Sequence, residues 1–259
     1  MLKPISPAHA MPYAPLRLQY PFIIQPKLRG IFGQLVGGRI YSRTKKEFGV
    51  LDDFPKFPFY IFGELWHPGL SQHDIQGALN RIEPNENTPK IGLHAFDMYD
   101  PLRPELTAVE RLSILQDAVS SSHVNLSMVR SNISATADAP YFAHLQAGYE
   151  GSIYRSLYAP YYPGADTYDV MKRKPWKDTE AVILDVVEGL GKYVGRVGTF
   201  KVQWNTLVFY VGGGELTEDM RLEYWLKKPI GKLLTFRYQY LAETGVPQHP
   251  QFICLREIS

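Results

Sequence analysis

The sequence predicts an α+β domain of antiparallel sheets and helices over residues 1–177, followed by a small all-β barrel over residues 178–259. Three observations carry that reading. After "MKRKPWKD" the texture changes: from Thr179 onward the chain is almost entirely short apolar runs separated by glycine-bearing turns, the pattern of a small barrel. Before that point strand-like and helix-like segments alternate. One of them, "LTAVERLSILQDAVSS", has Thr107 and Glu110 spaced as a capping box, with Val109, Leu112, Leu115 and Val119 along one face.

The elements follow in order. Residues 1–20, rich in proline, predict an extended arm. Phe22-Ile23-Ile24 reads as a buried strand ending at Gln25-Pro26, with Lys27 at its end and Gly30 beyond, where a missing side chain lets backbone approach a ligand. "LVGGRIYSRT" predicts a hairpin turning at Gly37-Gly38, and "FPFYIFGELW" a strand. "LSQHDIQGALNRI" predicts a short helix and "KIGLHAFDMYD" a strand. "APYFAHLQAGYEGSIYRS" predicts a helix, a stop at Gly148 and a strand. The barrel strands are expected in "AVILDVVEG", "GRVGTFKVQW", "TLVFYVGGG", "LLTFRYQYLAE" and "QFICLREI", with a short helix near "TEDMRLEYWL" and a hairpin turn at "VGGGEL".

Composition excludes several classes. With 259 residues and 45% hydrophobic content the chain can bury a sizeable core. A net charge of +2 means that any affinity for nucleic acid comes from local basic patches, not from a global field. The single cysteine, Cys254, excludes a disulfide framework, and its alternating surroundings predict a core position. The seven histidines form no His-x-x-x-His pair. No run approaches the about 18 apolar residues of a membrane span, and the N-terminus lacks the apolar segment of a secretion signal. A soluble, monomeric, cytoplasmic protein is expected.

Taken one at a time, the candidate residues have ordinary explanations. Lys27 is a lysine at a strand end, a rigid place for a nucleophile, and lysines react as the free amine, which desolvation or cationic neighbours favour. Glu64 in "IFGELW" is a carboxylate suited to a ribose hydroxyl. Phe96 in "HAFDMYD" is an aromatic suited to stacking on a base. Glu150, before Gly151, suits a metal ion or a water network. Lys172 and Lys174 alternate along a strand and share a face, as a phosphate clamp requires. Their order along the chain is more telling than any one of them.

That order resembles the covalent nucleotidyltransferase superfamily, and most closely the small ATP-dependent DNA ligases of viral and bacterial kind. "KLRGIF" stands in the place of the family's Lys-x-Asp-Gly-x-Arg, and "SRTKK" in that of Ser-Arg-x-Gly-Lys. "FGELW" is similar to the Asp-Gly-Glu element, "AFDMYD" to the Phe-Asp element and "EGSIYR" to the Glu-Gly element. "VMKRKPWKDTEAVI" resembles the Lys-x-Lys element and its hinge. "VVEGLGKYVGRVGTFKV", "YVGGGEL" and "HPQFICLRE" resemble the family's OB domain.

The resemblance implies an ATP-grasp-like adenylyltransferase domain followed by an OB-fold barrel. It implies sealing of 5′-phosphate/3′-hydroxyl nicks in duplex DNA, in replication or repair, with ATP and Mg2+. Lys27 would carry AMP. Glu64 would hold the ribose, Phe96 would stack on adenine, and Gln25 would read the adenine edge. Lys172 and Lys174 would contact the α-phosphate, and Glu150 would help hold the metal. Arg43, with Arg29, would meet the 5′-phosphate of the nick. "SRTKK", "KRKPWK" and "LKKPIGK" would line the DNA groove, and Trp176 to Thr179 would form the hinge. With about twenty residues before the first strand, no N-terminal DNA-binding domain is expected, so the two domains would clamp the duplex between them.

The chain departs from the family at Arg29, where aspartate is usual, and at Phe32, where arginine is usual. Arg29 is expected to restore the positive charge that Phe32 removes. The Arg-x-Asp-Lys element that orients pyrophosphate in longer ligases is not visible, and Lys227, Lys228 and Lys232 are candidate substitutes. Two other readings stand beside the ligase: an RNA ligase or capping-type nucleotidyltransferase, and a catalytically degenerate nick-binding module.

Overall fold

The computed structural model describes residues 2–51, 54–120, 125–242 and 244–256. The chain divides into two compact units, Met1–Lys174 and Pro175–Ser259.

Among the described residues the first unit contains two five-stranded sheets and three α-helices. Its elements are β1 (His9–Pro12), β2 (Phe22–Lys27), β3 (Ile31–Val36), β4 (Arg39–Tyr41), β5 (Tyr60–Trp66), α1 (Gln72–Leu79), β6 (Gly92–Tyr99) and α2 (Ala108–Val119). They continue with β7 (Leu126–Met128), β8 (Asn132–Ser134), α3 (Asp138–Gln146), β9 (Gly151–Ser156) and β10 (Asp166–Arg173). One sheet runs β1-β10-β9-β2-β8 and the other β4-β3-β5-β6-β7. Both are antiparallel except at one edge, where β1 lies parallel to β10 and β7 parallel to β6.

Local chemistry accounts for the element ends. Gly37 and Gly38 have φ of 62° and 88°, the left-handed pair that a two-residue turn between β3 and β4 needs. Reciprocal capping boxes start α1 (Ser71 with Asp74) and α2 (Thr107 with Glu110). Gly148, at φ 84°, ends the turn after α3. The second sheet and the inner faces of α1 and α2 enclose a core that includes Leu35, Ile61, Leu65, Ile75, Leu93 and Leu115.

Several expectations are corrected here. The N-terminal arm is extended where His9–Pro12 pairs in the sheet, but a 3-10 turn at Pro15–Arg17 interrupts it. The buried face of α2 is Ala108, Arg111, Leu115 and Val119, whereas Val109 is 37% exposed. An arginine replaces a valine on that face because Arg111 is matched by a buried carboxylate. Ser121, which closes the expected α2 segment, lies outside the described residues.

The second unit is a closed barrel in the order β11-β12-β13-β17-β14. Its elements are β11 (Lys177–Glu188), β12 (Val197–Trp204), β13 (Leu207–Gly212), α4 (Glu218–Lys227), β14 (Leu233–Tyr238), β15 (Tyr240–Leu241), β16 (Pro247–Gln248) and β17 (Gln251–Leu255). Ile183, Phe200, Val202, Val211, Leu234, Phe236 and Phe252 fill the interior. Arg221 of α4 is buried and donates to the carbonyls of Val197 and Gly198, which ties the helix to the barrel rim.

The glycines of "VGGGEL" do not turn a hairpin but lead from β13 towards α4. A Cβ on Gly214 would come within 2.2 Å of the Phe252 carbonyl oxygen, so close strand contact explains that glycine. The expected "LLTFRYQYLAE" strand divides into β14 and the two-residue β15, and its Glu243 lies outside the described residues. Cys254 is half-buried and not in the core. Glu257 and Ile258 of the expected last strand also lie outside the described residues. Of the expected hinge, Lys177 to Thr179 are already paired in β11.

Candidate functional site

The first unit contains a cavity of about 440 Å³. It is lined by Gln25, Lys27, Glu64, Phe96, Lys172, Lys174 and Arg43 of the residues singled out from sequence, together with Phe32, Arg155, Tyr161 and the segment Pro7 to Ala10. Glu150 completes the group by its contacts.

Strand register brings the charged groups together. Lys27 ends β2 and pairs with Gly151, the first residue of β9. Glu150, one residue earlier, donates its backbone N–H to the Lys27 carbonyl at 3.0 Å. Its side chain therefore lies beside Lys27, and Lys27 Nζ donates to Glu150 Oε2. β10 pairs with β9, and Lys174, just past the end of β10, reaches Glu150 Oε1 at 2.7 Å. One carboxylate is thus shared by two lysines. Burial alone would raise the Glu150 pKa, but Lys27 and Lys174 outweigh it and hold the carboxyl below its usual range.

Glu64 behaves in the opposite way. Burial pushes its carboxyl up to about 7, against the pull of Lys27 and of the Gly30 N–H, which donates to Glu64 Oε1 at 3.0 Å. Gly30 is a place of close backbone approach to β5: a Cβ there would lie 2.3 Å from the Leu65 carbonyl oxygen. Lys172 is held below the usual lysine range by desolvation and by the neighbouring cations Lys174, Lys27 and Arg43. The cavity therefore gathers more positive than negative charge, as an anion site needs.

Gln25 is 1% exposed and its carboxamide is fully engaged. Its Nε2 donates to the Phe96 carbonyl at 3.0 Å and to Ser131 Oγ at 2.9 Å, and its Oε1 accepts from Arg155 Nε at 2.9 Å. These bonds direct the amide into the wall behind Phe96. Arg155 in turn donates to Asp97 Oδ2 at 2.7 Å, and Arg111 Nε donates to Asp97 Oδ1 at 2.8 Å. Burial opposes the Asp97 charge, yet Arg155 and Arg111 prevail and keep its carboxyl below the usual range. Arg29 is exposed and is not among the cavity-lining residues.

Sequence reasoning missed Arg155, Tyr161 and the Pro7 to Ala10 wall. The strand period held one usable signal: in "EGSIYR", Ile153 and Arg155 share a face, and both line the cavity. The wall gave no local signal, because β1 is held by its pairing with β10 and by the Tyr161 hydroxyl, which accepts from the Ala8 N–H at 2.9 Å.

A two-sheet unit with a lysine-rich cavity is thus followed by a closed five-stranded barrel, and comparison with known proteins finds similar chains. Residues 188–256 match the family described as DNA ligase OB-like domain. The chain is 25% identical over 248 residues to the DNA ligase of African swine fever virus (isolate Tick/South Africa/Pretoriuskop Pr4/1996), covering 84% of this chain. It spans only 58% of that viral enzyme's length. A DNA ligase of Methanosphaera stadtmanae is 27% identical over 160 residues, covering 56% of this chain and 29% of the archaeal protein.

Among solved structures, one from a study of DNA binding by Lig E DNA ligases superimposes with a TM-score of 0.79 at 22% identity, covering 97% of this chain and 99% of that one. The Chlorella virus DNA ligase-adenylate gives 0.54 at 21% identity, covering 98% and 99%. The ATP-dependent ligase of bacteriophage T7, in complex with ATP, gives 0.55 at 15% identity, covering 97% and 98%. The resemblance to ATP-dependent DNA ligases thus holds for the fold along nearly the whole chain.

Proposed function

We propose that this protein is an ATP-dependent DNA ligase that seals 5′-phosphate/3′-hydroxyl nicks in duplex DNA. The first unit would form its adenylation domain and the second its OB domain, with the boundary at Lys174/Pro175 in place of the expected 177/178. The observation that carries this reading is the row Lys27–Glu150–Lys174 in a cavity walled by Phe96 and Phe32.

In this reading ATP is the substrate of the first step. Phe96 stacks on the adenine, in a position set by the bond from Gln25 to its carbonyl. Glu64 meets the ribose, and Lys172 and Lys174 meet the α-phosphate. Lys27 Nζ attacks the α-phosphorus as the free amine. A P–N bond forms, the bond to the bridging oxygen breaks, and pyrophosphate leaves with that electron pair. For the attack Lys27 must leave Glu150. A carboxylate stripped of its partner is costly when buried, and Lys174 keeps Glu150 paired as Lys27 turns to phosphorus. AMP then passes to the DNA 5′-phosphate, breaking the P–N bond. The 3′-hydroxyl attacks that phosphate and expels AMP. Positioning and charge neutralisation dominate each transfer.

Mg2+ fits this site in the manner usual for nucleotide enzymes, with one or two carboxylates and the substrate's own phosphates as ligands. Glu150 would hold it, with Glu64 electrostatically close by, and the ion would neutralise phosphate charge. Among the described residues no group of three or more His, Cys, Asp or Glu side chains is placed to hold a metal ion. Phosphate contacts from "SRTKK", "KRKPWK" and "LKKPIGK" would make DNA binding salt-dependent and indifferent to sequence. The protein would act as a monomer.

The test is joining of a labelled 5′-phosphate nick in duplex DNA with ATP and Mg2+, beside the same nick built in RNA. A sealed DNA strand is expected. Joining of RNA alone would transfer the assignment to an RNA ligase, and an open nick with folded protein would leave a nick-binding module.

A further inference from the structure

Phe32 stands where the family pattern has an arginine, and the structure gives that ring a partner. Phe32 is half-buried on β3 and lines the cavity. Its centroid is 6.3 Å from that of Phe62, in a stacked arrangement, and 6.4 Å from that of Phe96. The guanidinium of Arg43 lies over the Phe32 ring, 4.7 Å from its centroid. Arg43 follows β4 in a tight turn closed by Ser42, whose carbonyl accepts from the Lys45 N–H at 2.9 Å and whose hydroxyl accepts from the Lys46 N–H at 3.0 Å. The charge of Arg43 acts within the cavity, where it helps depress Lys172 and opposes the effect of burial on Glu64.

We propose that Phe32 is a positioning residue for Arg43. The ring holds the guanidinium at the cavity so that a phosphate group meets a fixed charge. The chain thereby replaces an arginine of the first element with a surface that orients an arginine from the following one. Stacking engages the flat face of the guanidinium and leaves its in-plane N–H groups for phosphate oxygens. An exposed arginine without this support would have to be ordered by the substrate itself. The phosphate belongs either to ATP or to the DNA 5′-end. The inference rests on the ligase reading for its substrate, but its geometric core does not.

The experiment compares Phe32→Leu, Phe32→Tyr, Arg43→Gln and the double variant Phe32→Leu/Arg43→Gln, measuring self-adenylation and nick sealing separately. A guanidinium–ring contact at an exposed site corresponds to about 2- to 5-fold in affinity. Phe32→Leu is therefore expected to raise KM by about that factor and to change kcat less, and Phe32→Tyr, which keeps an aromatic face, to recover most of the loss. In the Arg43→Gln background Phe32→Leu should cost nothing further. An effect confined to adenylation assigns the phosphate to ATP, and one confined to sealing assigns it to DNA. An equal cost of Phe32→Leu with and without Arg43 overturns the proposal. A second measurement is independent of activity: the Arg43 side-chain N–H resonance should carry a ring-current shift that Phe32→Leu abolishes. No such shift overturns the proposal even in an active ligase. With the shift present but no adenylation, it is the ligase reading that fails.

Discussion

Replacing Asp97 by asparagine tests how the cavity wall is held. Asp97 is 1% exposed and accepts from Arg111 Nε at 2.8 Å, Arg111 Nη2 at 3.2 Å, Arg155 Nη1 at 2.7 Å and the Met98 N–H at 2.8 Å. Arg111 and Arg155 are 3% and 5% exposed, so solvent cannot take over the role of the carboxylate. Asp97→Asn keeps the shape but leaves two buried guanidiniums without a counter-charge, a loss of about 3–5 kcal/mol. Domain stabilities are about 5–15 kcal/mol, so this is a large fraction. It should lower the melting temperature of the first unit by about 6–20 °C. Calorimetry reads the shift, with the barrel transition as internal reference. The pH dependence has a definite sign. Burial opposes ionisation, but the arginines hold the folded-state pKa below the ordinary value of 3.8. The stabilisation is therefore present above that value and is lost as pH falls through the folded-state pKa, and Asp97→Asn should lack this acid limb. A shift of under about 2 °C, with the acid limb intact, would refute the claim that the Asp97 charge holds the two arginines.

Two further outcomes follow from the same geometry. Glu64 has its pKa raised from 4.5 to about 7, so its contribution to stability is full below 4.5 and lost as pH rises through about 7. Glu64→Gln should flatten that decline, as followed by urea titrations at a series of pH values, and an unchanged slope would assign the decline to another group. Gly30→Ala places a Cβ 2.3 Å from the Leu65 carbonyl oxygen and 2.8 Å from Glu64 Cγ, which forces β3 and Glu64 apart. It should cost about 1–3 kcal/mol in a thermal melt and weaken binding of a fluorescent ATP analogue, and wild-type values in both would show that the approach is relieved without consequence.

The legible parts of this protein were those set by short-range pattern. The α2 start at Thr107 and Glu110, the Gly37-Gly38 turn and the glycine-spaced barrel strands follow from capping, backbone freedom and alternation, all local effects. The cavity residues Lys27, Glu64, Phe96, Lys172 and Lys174 were legible through their order along the chain. What was not legible depends on pairing at a distance. Nothing local marks Arg111 and Arg155 as buried, because Asp97, which pairs with both, lies 14 and 58 residues away in sequence. Gln25 carries no mark of its engagement with Ser131 and Phe96. The proline-rich start hides β1, because its ladder is made with β10 at the far end of the unit. The glycines of "VGGGEL" resemble a hairpin turn because sequence cannot reveal the Phe252 backbone lying against Gly214.

The central claim is that Lys27 is the nucleotide acceptor. Its most direct test is incubation with α-labelled ATP and Mg2+, followed by denaturing electrophoresis, with Lys27→Ala alongside. The account predicts a labelled protein band that is absent from Lys27→Ala while the calorimetric transitions of that variant remain. A band that persists in Lys27→Ala, or its absence from the folded wild-type protein, would contradict it.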